Sequence, residues 1–330
     1  MPATVATIDD LIAGATDRRP VRPDDARSGG RFELLRINGQ PRFLKVLAHE
    51  ADWIMRVTGN TDHWEHKVWQ AGLYDRFPAS VDHTIVAMAL DTSGPAPRLG
   101  ILMDDCSGDL IPPGDTKVAP DVHAGFVDHM AELHATFWGW NDDLGLCPMV
   151  SRLRFFAPET ITPELETDEV PGPIAAADRG WRELARRAPE LSELVRSLHH
   201  RPEALLEPLA ETPVTFVTGD WKMGNLGRRP DGRTILLDQA YPGSGPGCWD
   251  LMWYLALNRE RLPVSKEATV EAYRAALERH GVPTAGWWDA QVTMCALAII
   301  VCFGWEKALG DDTELAWWEE RALAGRSHLR

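Results

Sequence analysis

The strongest constraint on the fold is a change of texture near residue 105. Before it the chain reads as short strands. RFELLRI and RFLKVL flank the turn-like NGQP between residues 31 and 47, and TIVAMAL (84–90) and LGILMDD (99–105) follow after a loop, DTSGPAP. Asn38-Gly39 between two such runs is a strong hairpin signal. A helical stretch at about 61–75, with Trp64, Val68 and Leu73 among charges, interrupts the strands. After residue 105 the pattern is mainly helical. HAGFVDHMAELHATFW sets Phe126, Met130, Leu133 and Phe137 on one face of an amphipathic helix. Residues 157–177 read as a mobile Pro- and Glu-containing insert, 179–200 as one helix, and 1–25 as a polar leader with one short helix. No internal repeat is visible.

At 330 residues the chain exceeds what one compact core usually holds, so two lobes are expected. The division is a β-rich N-terminal lobe, 1–104, and a larger helical lobe, 105–330. Net charge is −15, shared unevenly: −2 over residues 1–104 and −13 over the remainder. That balance argues against a nucleic-acid partner and makes neutral or cationic ligands better suited to the second lobe. The longest apolar run, MCALAIIVCF at 294–303, is about half of the ~20 residues that a membrane span needs. No signal peptide is visible, and five cysteines without CxxC or finger spacing suit reduced thiols. The expectation is a cytoplasmic protein with no membrane partner. The sequence leaves its oligomeric state open.

Chemistry concentrates in residues 214–254. Asp231-Gly232 is a turn pair between NLGRR and RTILLD. A hairpin closing there brings Asn225 and Asp238 side by side at its open end, with Asp220 in the loop that enters it. Two carboxylates and an amide oxygen of this kind suit Mg²⁺, which is held by a few side chains plus substrate phosphates. The spacing D-x4-N followed by a strand-borne Asp is that of a phosphoryl-transfer site, in which one acid positions the acceptor hydroxyl. Such a site also needs a lysine on an early strand and a glutamate on the following helix. Only two of six lysines precede residue 105, and one, Lys45, lies in the strand RFLKVL; the next helix carries Glu65.

From FLKV to the C-terminal helices the chain resembles the aminoglycoside phosphotransferase and small-molecule kinase family. The motifs are FLKV, the helix with Glu65, LGILMDD, AELHATFW, GDWKMGNLG, ILLDQA and CWDLMWYL. The resemblance implies an α+β, protein-kinase-like bilobal fold and a transferase that uses ATP, with GTP left open, and Mg²⁺. It implies Asp220 as the catalytic base or acceptor-orienting group and Asn225 and Asp238 as metal ligands. Lys45 and Glu65 would fix the nucleotide phosphates, and backbone near Met103 and Asp104 would meet the adenine. Asp250 would brace the catalytic loop.

Two positions depart from the family pattern. Thr218 stands where a histidine is usual, and Gln239 where an aromatic is common. A threonine can still hydrogen-bond backbone and brace the loop, while Gln239 alters the acceptor pocket or the metal site. A second reading therefore stays open: a kinase-fold protein that binds nucleotide or a small molecule without phosphoryl transfer, or that serves another reaction on a natural product.

YPGSGPG (241–247) fits no phosphate or nucleophile motif and reads as a loop after Asp238. His134 reads as a packed helix residue, His199-His200 as a solvated pair, and Cys295 and Cys302 as core. In the last fifty residues Trp305, Glu306, Trp317 and Trp318 combine aromatics with carboxylates. Two readings stay open: a surface for a polar, amine-bearing acceptor through cation–π and charge-assisted contacts, or tryptophans that anchor helices in the core while the acids face water. The expected partner is a small hydroxylated molecule, an antibiotic, amino sugar or related metabolite.

Overall fold

The computed structural model describes residues 5–23 and 28–330. Helix α1 (Ile8–Leu11) precedes strand β1 (Thr16–Val21), then β2 (Arg31–Ile37) and β3 (Gln40–Leu47). The β2–β3 turn has positive φ at both Asn38 and Gly39, the backbone that a tight two-residue hairpin requires. Helices α2 (Trp53–Thr58) and α3 (Trp64–Gln70) follow, then β4 (Val81–Asp82), β5 (Ile85–Asp91) and β6 (Arg98–Asp104). The main sheet is antiparallel throughout, with order β1-β2-β3-β6-β5.

The leader differs from expectation. Beyond its short helix it supplies β1, an edge strand whose exposed, polar residues carry little strand signal. Alternation along β3 and β6 divides the sheet into two faces. Leu44, Val46 and Leu102 point outward to pack under Ile8, Leu11 and Ile12, closing a small outer core. Gly100 permits this close approach, because a Cβ there would lie 2.9 Å from Ile8. Lys45, paired with Ile101, belongs to the opposite set, which faces the larger lobe.

The second lobe begins with α4 (Pro120–Thr136) and continues through α5 (Met149–Leu153), α6 (Pro158–Leu165), α7 (Gly172–Arg187), α8 (Pro189–His200) and α9 (Glu203–Ala210). The segment 157–177 is thus largely helical rather than a structureless insert. Pro158 opens α6 at a position where its missing N–H costs nothing. Likewise the single helix expected over 179–200 is two, divided at Ala188 before Pro189. His199 is buried against Val301 O at 2.8 Å, and only its neighbour His200 is exposed.

Strands β7 (Thr215–Val217), β8 (Leu226–Arg228), β9 (Thr234–Leu236) and β10 (Gly243–Gly245) form two small sheets, β10-β7 and β4-β9-β8. Helices α10 (Cys248–Leu257), α11 (Lys266–Arg279), α12 (Trp288–Leu309) and α13 (Asp312–Gly325) complete the lobe. Among the described residues α12 alone is long and apolar enough to cross a membrane, yet 78% of its apolar window is buried inside the protein. It is the axis on which α7, α8, α10 and α13 pack. Gly180 lets α7 cross it closely, since a Cβ there would lie 2.3 Å from Trp305 O.

Candidate active site

A cleft of about 390 Å³ lies between the sheet and the helical lobe. Its floor is the loop after β7. Gly219 in that loop has φ +76°, and a Cβ would lie 2.3 Å from Arg152 and 2.6 Å from Tyr241, so only glycine fits. The loop is gripped by Asp250, fully buried on the first turn of α10. Its carboxylate accepts from the Thr218 and Gly219 N–H groups, both at 2.9 Å, and from the Thr218 hydroxyl at 3.0 Å. His134 stands on the far side at 3.4 Å and bonds the Tyr273 hydroxyl at 2.6 Å. Burial alone would raise the Asp250 pKa, but the His134 contact and the backbone donor of Thr218 outweigh it and hold the pKa below the usual range.

This arrangement places Asp220 at the cleft, 4% exposed. One carboxylate oxygen accepts from Asn225 Nδ2 at 2.8 Å and lies 2.9 Å from Lys222 Nζ. The other accepts from the Trp253 indole at 2.9 Å. Desolvation by burial raises the Asp220 pKa, assisted by the charge of Asp238 and opposed by Lys222. Asn225 ends a 3₁₀ turn, Met223–Asn225, and its Nδ2 is committed to Asp220, so the amide oxygen is the atom it can offer a cation.

The hairpin closes at Asp231-Gly232 as the turn chemistry predicts, with Leu226 opposite Leu236. Leu237 N–H donates to Asn225 O at 2.9 Å, so Asp238 sits one residue beyond Asn225's direct partner. Asp238 has φ +54°, a left-handed conformation uncommon outside glycine, and such backbone persists where its surroundings over-determine it. Its carboxylate ion-pairs with Lys45. The pair acts on both partners: burial opposes, yet Lys45 is held above the usual lysine value and Asp238 below the usual carboxylate value. Glu65, 4% exposed on α3, feels the same lysine, but desolvation dominates and pushes it up to about 7. Its described side-chain hydrogen bond is from Asn60 Nδ2, at 3.4 Å.

Lys45, Glu65, Met103, Asp104, Asp220, Asn225, Asp238 and Gln239 therefore all line one cleft. Asp104 turns its carboxylate to Arg42 at 2.6 Å and spends its N–H on Thr84 O at 2.9 Å. Gln239 is 3% exposed and donates to Leu236 O at 2.7 Å, which ties its amide to the hairpin. Val21 at the end of β1, together with Arg22, Pro23 and Ser28, lines the same cleft. Ser28-Gly29-Gly30 directly precedes β2, which pairs with β1.

The C-terminal aromatic surface is not brought there. None of Trp305, Glu306, Trp317 and Trp318 lines the cleft. Trp318 is fully buried and donates to Glu314 at 2.7 Å. Trp305 packs on Phe156 with centroids 5.0 Å apart, while Glu306 pairs with the buried Lys307 at 2.7 Å. Trp317 lies under the Arg321 guanidinium at 3.8 Å and bonds Glu267, beside a separate groove of about 210 Å³. The two adjacent tryptophans pack edge to face with centroids 4.7 Å apart, and both are used by the protein itself.

Three cleft residues lacked a sequence signal strong enough to single them out. Lys222 lies two residues after Asp220. Asp52 caps α2 by accepting from Ile54 N–H at 2.9 Å, and it lines the cleft 2% exposed. Tyr241, from the loop after Asp238, forms part of the wall. The spacing Asp-x-x-Trp in CWDLMW could have indicated Trp253, which does not line the cleft but bonds Asp220, because residues three apart share a helix face. Among the described residues, no group of three or more His, Cys, Asp or Glu side chains could hold a metal ion. The hard-oxygen set offered by Asn225 and Asp238 fits a cation that completes its shell with substrate oxygens.

No protein-family model and no curated protein matches the chain. Solved structures do. A choline kinase of Streptococcus pneumoniae aligns over 97% of this chain and 96% of its own, with 11% identity and a TM-score of 0.52. An amicoumacin kinase, solved with AMP-PNP and Ca²⁺, aligns over 92% and 87%, with 12% identity and a TM-score of 0.51. A Plasmodium vivax ethanolamine kinase aligns over 97% and 86%, with 11% identity and a TM-score of 0.52. The chain has the protein-kinase-like fold of these small-molecule kinases, a small antiparallel sheet over a larger helical lobe.

Proposed function

We propose that this protein transfers the terminal phosphoryl group of a nucleoside triphosphate, ATP in the first instance, to a hydroxyl of a small acceptor. The observation that carries the reading is the convergence on one cleft of Lys45, from β3, with Asp220, Asn225 and Asp238, from the loop and hairpin after β7 nearly two hundred residues away in sequence. Lys45 lies opposite the floor and steadies the phosphates. Asp220 orients the acceptor hydroxyl and takes its proton as the new oxygen–phosphorus bond forms and the bond to the leaving diphosphate breaks. Asn225 and Asp238 would hold Mg²⁺, which neutralises phosphate charge when bound. Positioning and charge neutralisation supply most of the catalysis in such a reaction.

The Thr218 hydroxyl supports an intact rather than a degenerate loop. It donates to Asp250 at 3.0 Å, so the loop is braced without the histidine usual at this position. Around the cleft six carboxyl groups, Asp52, Glu65, Asp104, Asp105, Asp220 and Asp238, outnumber three basic side chains, Arg22, Lys45 and Lys222. That excess favours a cation and an acceptor bearing an amine, such as an amino alcohol or amino sugar. The five cysteines are free and buried, which fits a cytoplasmic protein. ADP release across a panel of amino alcohols, amino sugars and hydroxylated amino acids tests the reading. Asp220→Ala should abolish release while nucleotide binding survives, and undiminished turnover in that variant would overturn it.

A further inference from the structure

Helix α10 carries two groups three residues apart that both reach the catalytic loop. Asp250 fixes the backbone of Thr218 and Gly219, as described above, and Trp253 donates its indole N–H to Asp220 at 2.9 Å. One rigid element therefore holds three consecutive residues, the first two by backbone and the third by its side chain. Trp253 is itself 3% exposed and locked by neighbouring rings: edge-on to Phe303 at 4.8 Å, beside Tyr241 at 5.8 Å and Trp249 at 5.9 Å. Its χ angles have little freedom, so the N–H is aimed before any ligand arrives.

Asp220's two oxygens are consequently unequal. Asn225 and Lys222 crowd one of them, whereas the indole touches the other. An indole is a donor only and supplies a single hydrogen bond, so a lone pair on that second oxygen remains for an acceptor hydroxyl.

Resting on the phosphotransfer reading, we propose that Trp253 is a positioning residue that orients Asp220 and assigns the indole-bonded oxygen to the acceptor's proton. The indole does not itself line the cleft, so it reaches a bound substrate only through Asp220. Its loss should therefore lower kcat and leave KM for both substrates nearly unchanged.

Two variants and one spectrum test this. Trp253→Phe keeps a ring and removes the N–H; kcat should fall about tenfold, the rate equivalent of one charge-assisted hydrogen bond, with KM values within twofold. Phe303→Leu loosens the same ring cluster but leaves the hydrogen bond, and should keep kcat within about twofold. Equal kcat losses in the two variants, or an unchanged kcat in Trp253→Phe, would overturn the role. Independently of turnover, the indole N–H resonance absent from Trp253→Phe identifies Trp253 in the wild-type spectrum, and it should shift in Asp220→Asn. A resonance unmoved by that substitution overturns the contact. A shifted resonance in a protein that phosphorylates no acceptor upholds the contact and counts against phosphotransfer itself.

Discussion

Lys45 and Asp238 form an ion pair that joins the central strand of the N-terminal sheet to the end of the β8–β9 hairpin, 193 residues further along the chain. Both partners line the cleft, so the pair spans it. The same two groups face a nucleotide and its cation in the proposed reaction.

Breaking this pair should show in binding first. Lys45→Met removes the phosphate contact and leaves Asp238 without its cation. Nucleotide Kd, measured by calorimetry, should rise about tenfold or more, a loss typical of truncating one partner of a buried charge pair. An unchanged Kd would remove Lys45 from the nucleotide site.

Glu65 yields a pH prediction. Its value in the folded protein is about 7, against 4.5 for the free side chain, so the fold favours the protonated form. The stability it contributes is fully present below about 4.5 and is lost as pH rises through 7. Wild type and Glu65→Gln should therefore be similar in stability near pH 4.5. At pH 8 the glutamine variant should be the more stable, by on the order of 3 kcal/mol. Urea unfolding at the two pH values measures the difference, and a gap that does not grow with pH would contradict the burial of a carboxyl at this site.

Asp250 should matter for stability as well as rate. Asp250→Asn turns an amide donor toward N–H groups that now meet a carboxylate, so buried donors lose partners. A loss of about 3–5 kcal/mol is expected, read from the urea midpoint, together with loss of turnover. Thr218→Val removes one of the three hydrogen bonds and should cost about 1–2 kcal/mol.

The C-terminal aromatics give a prediction of the opposite kind. Trp317 is stacked on Arg321 beside a groove separate from the cleft. Trp317→Ala should leave acceptor KM within twofold of wild type. A large rise in KM would return this surface to the acceptor site.

These outcomes follow the line between what local sequence could and could not convey. Asn38-Gly39 and Asp231-Gly232 announced their hairpins because turn chemistry is local, and the second hairpin carried Asn225 and Asp238 to within one residue of their expected alignment. Lys45 was legible because a lone lysine inside an apolar strand needs a reason. The strand β1 was not, since an exposed edge strand of mostly polar residues has no buried face to create alternation. Trp317 and Trp318 read alike in sequence, and only packing separates a partly buried ring from a fully buried one. Asp52 reaches the cleft through tertiary placement alone, as a cap on a six-residue helix that no periodicity marks.

The central claim is that the cleft carries out phosphoryl transfer, and the mass of the acceptor after incubation with ATP and Mg²⁺ tests it most directly. A hydroxylated amine from the panel should gain one phosphoryl group with wild type and none with Asp220→Ala, which still binds nucleotide. Acceptors left unmodified by a wild-type protein that calorimetry shows to bind Mg²⁺ and ATP would contradict the account.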